Sequence, residues 1–203
     1  MSTSGQMASA SREPLTGGDA PPGRGRFGPA VDRLDHSADE FLERLRGDPS
    51  LDRLMTAATH AGEFSAIWHA SSAVRGLVRG RPDQVLALAI GIGLESLIVN
   101  QGLKRMFRRP RPTTEGDDRF EIRTPLTSSF PSGHASAAAF AATVLISWDG
   151  RRWAPLWGAM AAVVATSRPY VRIHHASDVI GGLVAGSLMG WAATRVFARL
   201  GLD

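Results

Sequence analysis

The sequence predicts an all-α protein: an integral-membrane helical bundle of about five transmembrane helices, with its reactive residues at one membrane-water interface. Three observations lead there. Apolar segments recur at 85–103, 132–148, 153–167 and 179–194, of which only the first holds an acid, Glu95. A spanning helix takes roughly 17 to 25 residues, so two of these reach the required length only with flanking turns. Small residues pervade them, as in Ala135 to Ala142 and Gly181 to Gly190, which suits helices that associate by close packing in lipid. Polar, motif-like segments sit between the apolar ones. A packed soluble all-α domain is the alternative, and four such segments in succession disfavour it.

Taken in order, residues 1–35 are rich in Gly, Pro and Ser with scattered charge and read as a disordered N-terminal tail. Residues 36–53 read as an amphipathic helix, either interfacial or solvated and packed on the rest of the protein, with Ser37 as cap, Glu40 three positions on, and Phe41, Leu42 and Leu45 among charged residues. Residues 54–203 form the membrane domain. Its first segment, 54–78, is the weakest, because it carries His60, Glu63, His69 and Arg75. If it spans, His60 and Glu63 face the bundle interior, since a charge at mid-bilayer costs about 2.5 kcal/mol or more.

Composition narrows the function. The chain has 203 residues, a formal charge of +4 and no cysteine, which excludes a disulfide framework, a thiolate metal site and a cysteine nucleophile. The basic residues cluster between Lys104 and Arg123. Flanked by spanning helices, they are poorly placed to track a duplex, so no nucleic-acid partner is expected. No apolar run in residues 1–35 resembles a secretory signal.

Three segments carry the chemistry. In the third, 167–178, His174 and Asp178 stand four apart, so on a helical turn the carboxylate reaches one ring nitrogen and leaves the other as a nucleophile. His175, three residues from Asp178, is an open alternative. In the second, Pro131-Ser132-Gly133-His134, a chain entering a helix offers free backbone N–H groups to an anion. There His134 can protonate a leaving group, although Ser132 as a plain N-cap explains the same residues. The first, 104–112, supplies cations: Lys104 and Arg111, with Arg168 from the third, suit the oxygens of a transferring phosphoryl group. Arg105, Arg108 and Arg119 read instead as anchors to lipid headgroups.

The pattern Lys, six residues, Arg-Pro; Pro-Ser-Gly-His; Ser-Arg, five residues, His, three residues, Asp resembles the three-part signature of the type 2 phosphatidic acid phosphatase superfamily. It covers Lys104, Arg111, Pro112, Ser132, Gly133, His134, Ser167, Arg168, His174 and Asp178. The resemblance selects Arg111-Pro112 over Arg109-Pro110, and His174 over His175. It implies hydrolysis of a lipid-linked phosphate monoester or diphosphate, with His174 forming a phosphohistidine and His134 as acid, then base. Lys104, Arg111, Ser132, Gly133 and Arg168 would hold the phosphate, with no metal and no cofactor. The polar tail and five-helix length are also similar to actinobacterial decaprenylphosphoryl-5-phosphoribose phosphatases, which implies a polyprenyl-phosphoryl sugar phosphate in cell-wall synthesis as substrate, with undecaprenyl diphosphate, phosphatidic acid and phosphatidylglycerophosphate as open alternatives. A lipid phosphotransferase and a vanadium haloperoxidase-like oxidoreductase are the alternatives that share the constellation. Helix parity puts all three segments and the tail on one face. An unexported tail stays inside the cell, so the expected place is the plasma (inner) membrane, multi-pass, with the site on the cytoplasmic face.

Overall fold

Proline marks several helix starts, because its missing N–H belongs to a first turn that has no intrahelical acceptor anyway. The computed structural model describes residues 25–113, 117–120, 122, 124–125 and 127–203. Helix α1, Pro29–Glu43, begins at such a proline. Helix α2, Pro49–Ala61, begins at another, with the Asp48 carboxylate accepting from the Ser50 and Leu51 amides at 2.9 Å each. The single helix expected over 36–53 is thus two helices, broken around Gly47. The first takes in the last seven residues of the predicted tail, 29–35, so Ser37 lies inside it rather than capping it. The remainder of the predicted tail, residues 1–24, lies outside the described residues.

A second expectation also changes. The segment 54–78 is interrupted at Glu63–Ser65, where Phe64 and Ser65 take positive φ angles of 50° and 58°, and helix α3, Ala66–Arg79, follows. Helix α2 packs along the last turns of the penultimate helix through Tyr170 Oη to Asp52 (2.7 Å) and Thr59 Oγ1 to Ser167 (2.9 Å). His60 and Glu63 therefore do not face the bundle interior. Their side chains are about half exposed, 51% and 47%.

Helix α4, Pro82–Leu97, continues through widened π-helical turns, Ile98–Leu103, into the short α5, Lys104–Phe107. Arg108, with φ 44°, ends it. After an irregular stretch come α6, Gly133–Asp149, α7, Ala154–Tyr170, and α8, Ala176–Arg199. Helix α6 is the axis of the bundle: every residue from Ala135 to Ala142 is buried. Trp68, Leu88, Ile92 and Trp157 pack around it, against its own Phe140, Val144 and Leu145. The small-residue expectation is met at α8, where a Cβ on Gly186 would lie 2.0 Å from the Ser136 carbonyl oxygen. Only glycine lets these two backbones touch. The contact holds the N-termini of α6 and α8 together, and the Ser132 amide donates to the Asp178 carbonyl at 2.9 Å.

The outer faces of α4 and α8 expose Leu86, Ile90, Leu94, Val184, Leu188 and Trp191. Among the described residues two helices, Pro82–Phe107 and Ala176–Arg199, are long and apolar enough to cross a membrane, fewer than the five expected. Helices α3, α6 and α7 have 14, 17 and 17 residues. At about 1.5 Å per residue these are roughly 21–26 Å long, against a hydrocarbon core of about 30 Å.

Candidate active site

The polar ends of α4–α5, α6 and α7, with the turn before α8, converge on one cavity of about 330 Å³. Lys104, Arg111, Gly133, His134, Arg168 and His174 all line it, so six of the predicted site residues meet in one place. A Cβ on Gly133 would stand 3.6–3.7 Å from Asn100 Oδ1 and Lys104 Nζ, so glycine keeps the cradle open. Ser132 and Asp178 are not part of the lining. The Ser132 side chain is wholly buried and accepts from the Ala135 amide at 3.5 Å as the N-cap of α6. Asp178 lies behind His174.

Among the described residues none of the cations in this cavity makes a direct ion pair, and Glu95 is the one carboxyl in the lining. Arg168 is 3% exposed, and its Nε and Nη1 have no hydrogen-bond partner among the described residues; nor does His134 Nε2. A buried guanidinium left with unmade bonds is costly, unless an anion completes it. Lys104 and Arg111 are also buried. Burial lowers the Arg111 guanidinium to about 10, with Asp178 opposing, so it stays cationic at neutral pH.

His174 is 3% exposed and precedes α8 instead of lying on it, since His175 is the N-cap. The helical i,i+4 reading of His174 and Asp178 is thereby corrected: a capping turn, not a helical turn, brings them together. Arg111 Nη1 lies 3.2 Å from His174 Nε2. A guanidinium can only donate, so Nε2 carries the lone pair and Nδ1 the proton. Nδ1 points toward Asp178 Oδ2 at 3.7 Å and Ser129 Oγ at 3.5 Å. Burial pushes the imidazole down to about 3; Asp178 works against that shift and Arg111 with it. The ring is neutral at neutral pH.

Asp178 is shared more widely than its spacing predicted. It accepts from the His175 amide (2.8 Å), from His175 Nδ1 (3.1 Å), from Ser129 Oγ and from Arg109 Nη1 (2.6 Å). Its bond to His175 is shorter than its approach to His174, yet only His174 lines the cavity. Sequence reasoning passed over Arg109 because the six-residue spacing favoured Arg111. Its duplicate Arg-Pro pair was the available signal. Glu95, which accepts from Ser136 and lines the cavity, stood out in sequence only as the one acid in the apolar segments; Ser129 and Asn100 gave no signal of their own. Gly62 gave none either, and a Cβ there would sit 2.6 Å from the His134 ring. Of the predicted headgroup anchors, Arg119 is committed to Glu43 (3.0 Å) and Asp117 (2.7 Å). Its donation is the main reason the Glu43 carboxyl falls to about 2. No three His, Cys, Asp or Glu side chains cluster as a metal site among the described residues.

A model of the PAP2 superfamily matches residues 84–201. The chain belongs to the PAP2 superfamily. It is 32% identical over 142 residues to a decaprenylphosphoryl-5-phosphoribose phosphatase of Mycolicibacterium smegmatis, covering 68% of this chain and 74% of that one. It is 29% identical over 169 residues to phosphatidylglycerophosphatase B of Bacillus subtilis, covering 75% and 80%. Its fold is similar to that of the transmembrane PAP2-type phosphatidylglycerolphosphate phosphatase from Bacillus subtilis, with a TM-score of 0.67 and 26% identity over 84% of this chain and 87% of that structure. As a PAP2 protein the chain is a phosphoric ester hydrolase, and with its long apolar helices it is a membrane protein.

Proposed function

We propose that this PAP2 protein hydrolyses the phosphate monoester or diphosphate of a membrane lipid, through a phosphohistidine on His174. One observation carries the reading: a neutral imidazole with its Nε2 lone pair shares a cavity with Arg168, whose buried N–H groups lack partners. Lys104, Arg111 and Arg168 hold the phosphoryl oxygens with the α6 N-terminal amides at Gly133. Arg111 releases Nε2 as it turns to the phosphate. His134 takes up a proton as the negatively charged phosphate enters beside it; Nε2 attacks phosphorus, the ester P–O bond breaks, and the His134 imidazolium gives that proton to the departing oxygen. His134 then removes a proton from water, the water oxygen attacks phosphorus, and the P–N bond breaks to free inorganic phosphate. The cavity is small beside a lipid and takes the head only, which supports a phosphate at the membrane surface with the chain lying along α4. A polyprenyl-phosphoryl sugar phosphate is the substrate class that the mycobacterial relative supports.

The test is phosphate release from purified protein across prenyl and glycerolipid phosphates in detergent. We expect turnover in excess chelator, the highest kcat/KM on a prenyl-linked sugar phosphate, and none in His174→Ala. Undiminished release by that variant would remove the phosphohistidine. A preference for glycerolipids would remove the prenyl assignment.

On this reading α3, α4–α5, α6, α7 and α8 cross the membrane. Helices α3, α6 and α8 lead away from the cavity and α4 and α7 return to it, so α1, α2 and the cavity share one side. We assign that side to the cytoplasm, supported by Lys104, Arg105, Arg108 and Arg119 at that end. With no native cysteine, Asp118→Cys is a clean probe. An impermeant maleimide should label it in inverted vesicles and not in intact cells; the reverse pattern places the site outside.

A further inference from the structure

Helix α1 lies wholly before the region matched to the superfamily, yet it reaches the catalytic carboxylate. Asp35 Oδ2 accepts from Arg109 Nη2 at 2.7 Å, and Arg109 Nη1 donates to Asp178 Oδ1 at 2.6 Å. Ser177 closes the arrangement. Its amide and hydroxyl donate to Asp35 at 2.8 Å each, and its hydroxyl accepts from Arg109 at 2.7 Å. Phe27 covers the guanidinium from outside, 4.9 Å from ring centroid to Cζ. The side chains of Arg109, Asp178 and Asp35 are 1%, 0% and 9% exposed, so water screens these charges little.

The charges can be counted. Asp178 and Arg109 alone cancel, leaving nothing to balance the positive charge that a histidine acquires when Nε2 is phosphorylated while Nδ1 keeps its proton. With Asp35 the group carries one net negative charge. We propose that Asp35 is a positioning residue acting through Arg109: it returns to Asp178 the negative charge that phosphohistidine formation at His174 draws on, which makes α1 part of the active site. This rests on the phosphohistidine reading above. Simple docking of α1 onto α8 would use the same hydrogen bonds, but would not depend on the sign of the enclosed charge.

Charge, then, is what the experiment varies. Asp35→Asn keeps the size and can still accept from Ser177 but leaves Arg109 paired to Asp178 alone, so the group has no net negative charge. The double variant Asp35→Asn/Arg109→Met removes the cation too and restores one net negative charge on Asp178. Steady-state kinetics on p-nitrophenyl phosphate and on a short-chain phosphatidic acid in micelles should show kcat about 10- to 100-fold lower in Asp35→Asn at nearly unchanged KM. The double variant should turn over faster than the single. A single variant within about twofold of wild type, or a double variant slower than the single, overturns the proposal. If thermal unfolding shows that Asp35→Asn does not fold, the double variant is compared with wild type directly, and a kcat below about a tenth overturns it equally. His174→Ala separates the two ideas. A dead His174→Ala beside a fully active Asp35→Asn sinks only the role of Asp35, whereas turnover by His174→Ala sinks the mechanism beneath it.

Discussion

At the end of the bundle away from the cavity, Arg75 donates to Asp149 at 2.7 Å and to Gln84, and Asp149 also accepts from Trp157 Nε1 at 3.0 Å. Gln84 in turn donates to the Leu202 carbonyl at 3.0 Å. At the other end Arg168 is buried more deeply than Arg75, but two of its nitrogens bond to nothing described, and Lys104, Arg111 and His134 stand around the same space. Both ends bury arginine in a membrane protein. One pairs its charge within the fold and ties α3, α4, α6 and α7 together; the other leaves its cations without a direct ion pair among the described residues. What the contrast teaches is that the burial of a cation says little until its partners are counted. A completed pair is architecture, and an incomplete set describes the ligand, here an anion with several oxygens.

The contrast can be broken most directly at Arg168. Arg168→Met fills similar volume without charge, so phosphate release should fall by about 10²–10³-fold, while the melting temperature in detergent holds or rises, because an uncompensated charge leaves the interior. A melting temperature that drops as far as the activity would mean that Arg168 is structural. The mirror experiment is Asp149→Ala. Leaving a part-buried charge and the Trp157 N–H without their partner costs about 1–3 kcal/mol, so the variant should unfold earlier, yet the folded fraction should keep wild-type KM and kcat. A kinetic defect there would show that the ends are coupled.

A smaller effect sharpens the picture of His174. Its pKa is about 3 in the folded protein against an ordinary 6.5, so between these values the unfolded chain binds the extra proton. Stability is intact above about pH 6.5 and is lost as pH falls toward about 3. The melting temperature should decline over that range, and less steeply in His174→Gln. Identical slopes would mean that the imidazole is not held neutral by burial.

Much of the site was legible because phosphoryl chemistry needs particular residue types at spacings that a helix or turn imposes. Lys104, Arg111, Gly133, His134, Arg168 and His174 were named from pattern and resemblance, and they line one cavity. Ser132 was legible as a cap, and that is the role its side chain takes. The other end of His174 was harder to read. The four-residue interval to Asp178 suggested a private pair, whereas the fold spends that carboxylate on Arg109, Ser129 and His175 as well. The weak segment 54–78 misled because its average apolar character hid the break at Phe64 and Ser65, where backbone angles, not composition, end the helix. Asp35 was illegible for a related reason: among Gly, Pro and scattered charge, nothing local distinguishes an acid that meets Arg109 across 74 residues.

By itself, then, the sequence determined the all-α class, the apolar segments, the identities of the cations and histidines, and the superfamily resemblance, since each depends on local composition or on short fixed intervals. The tertiary structure decided which of two arginines faces the cavity and which holds Asp178. It also selected the His174 tautomer, through the donor Arg111, and attached α1 to Arg109 and Asp178. Those are properties of side chains that meet only after Gly186 lets α6 and α8 close, and a charge acquires its role from the charges that folding leaves beside it.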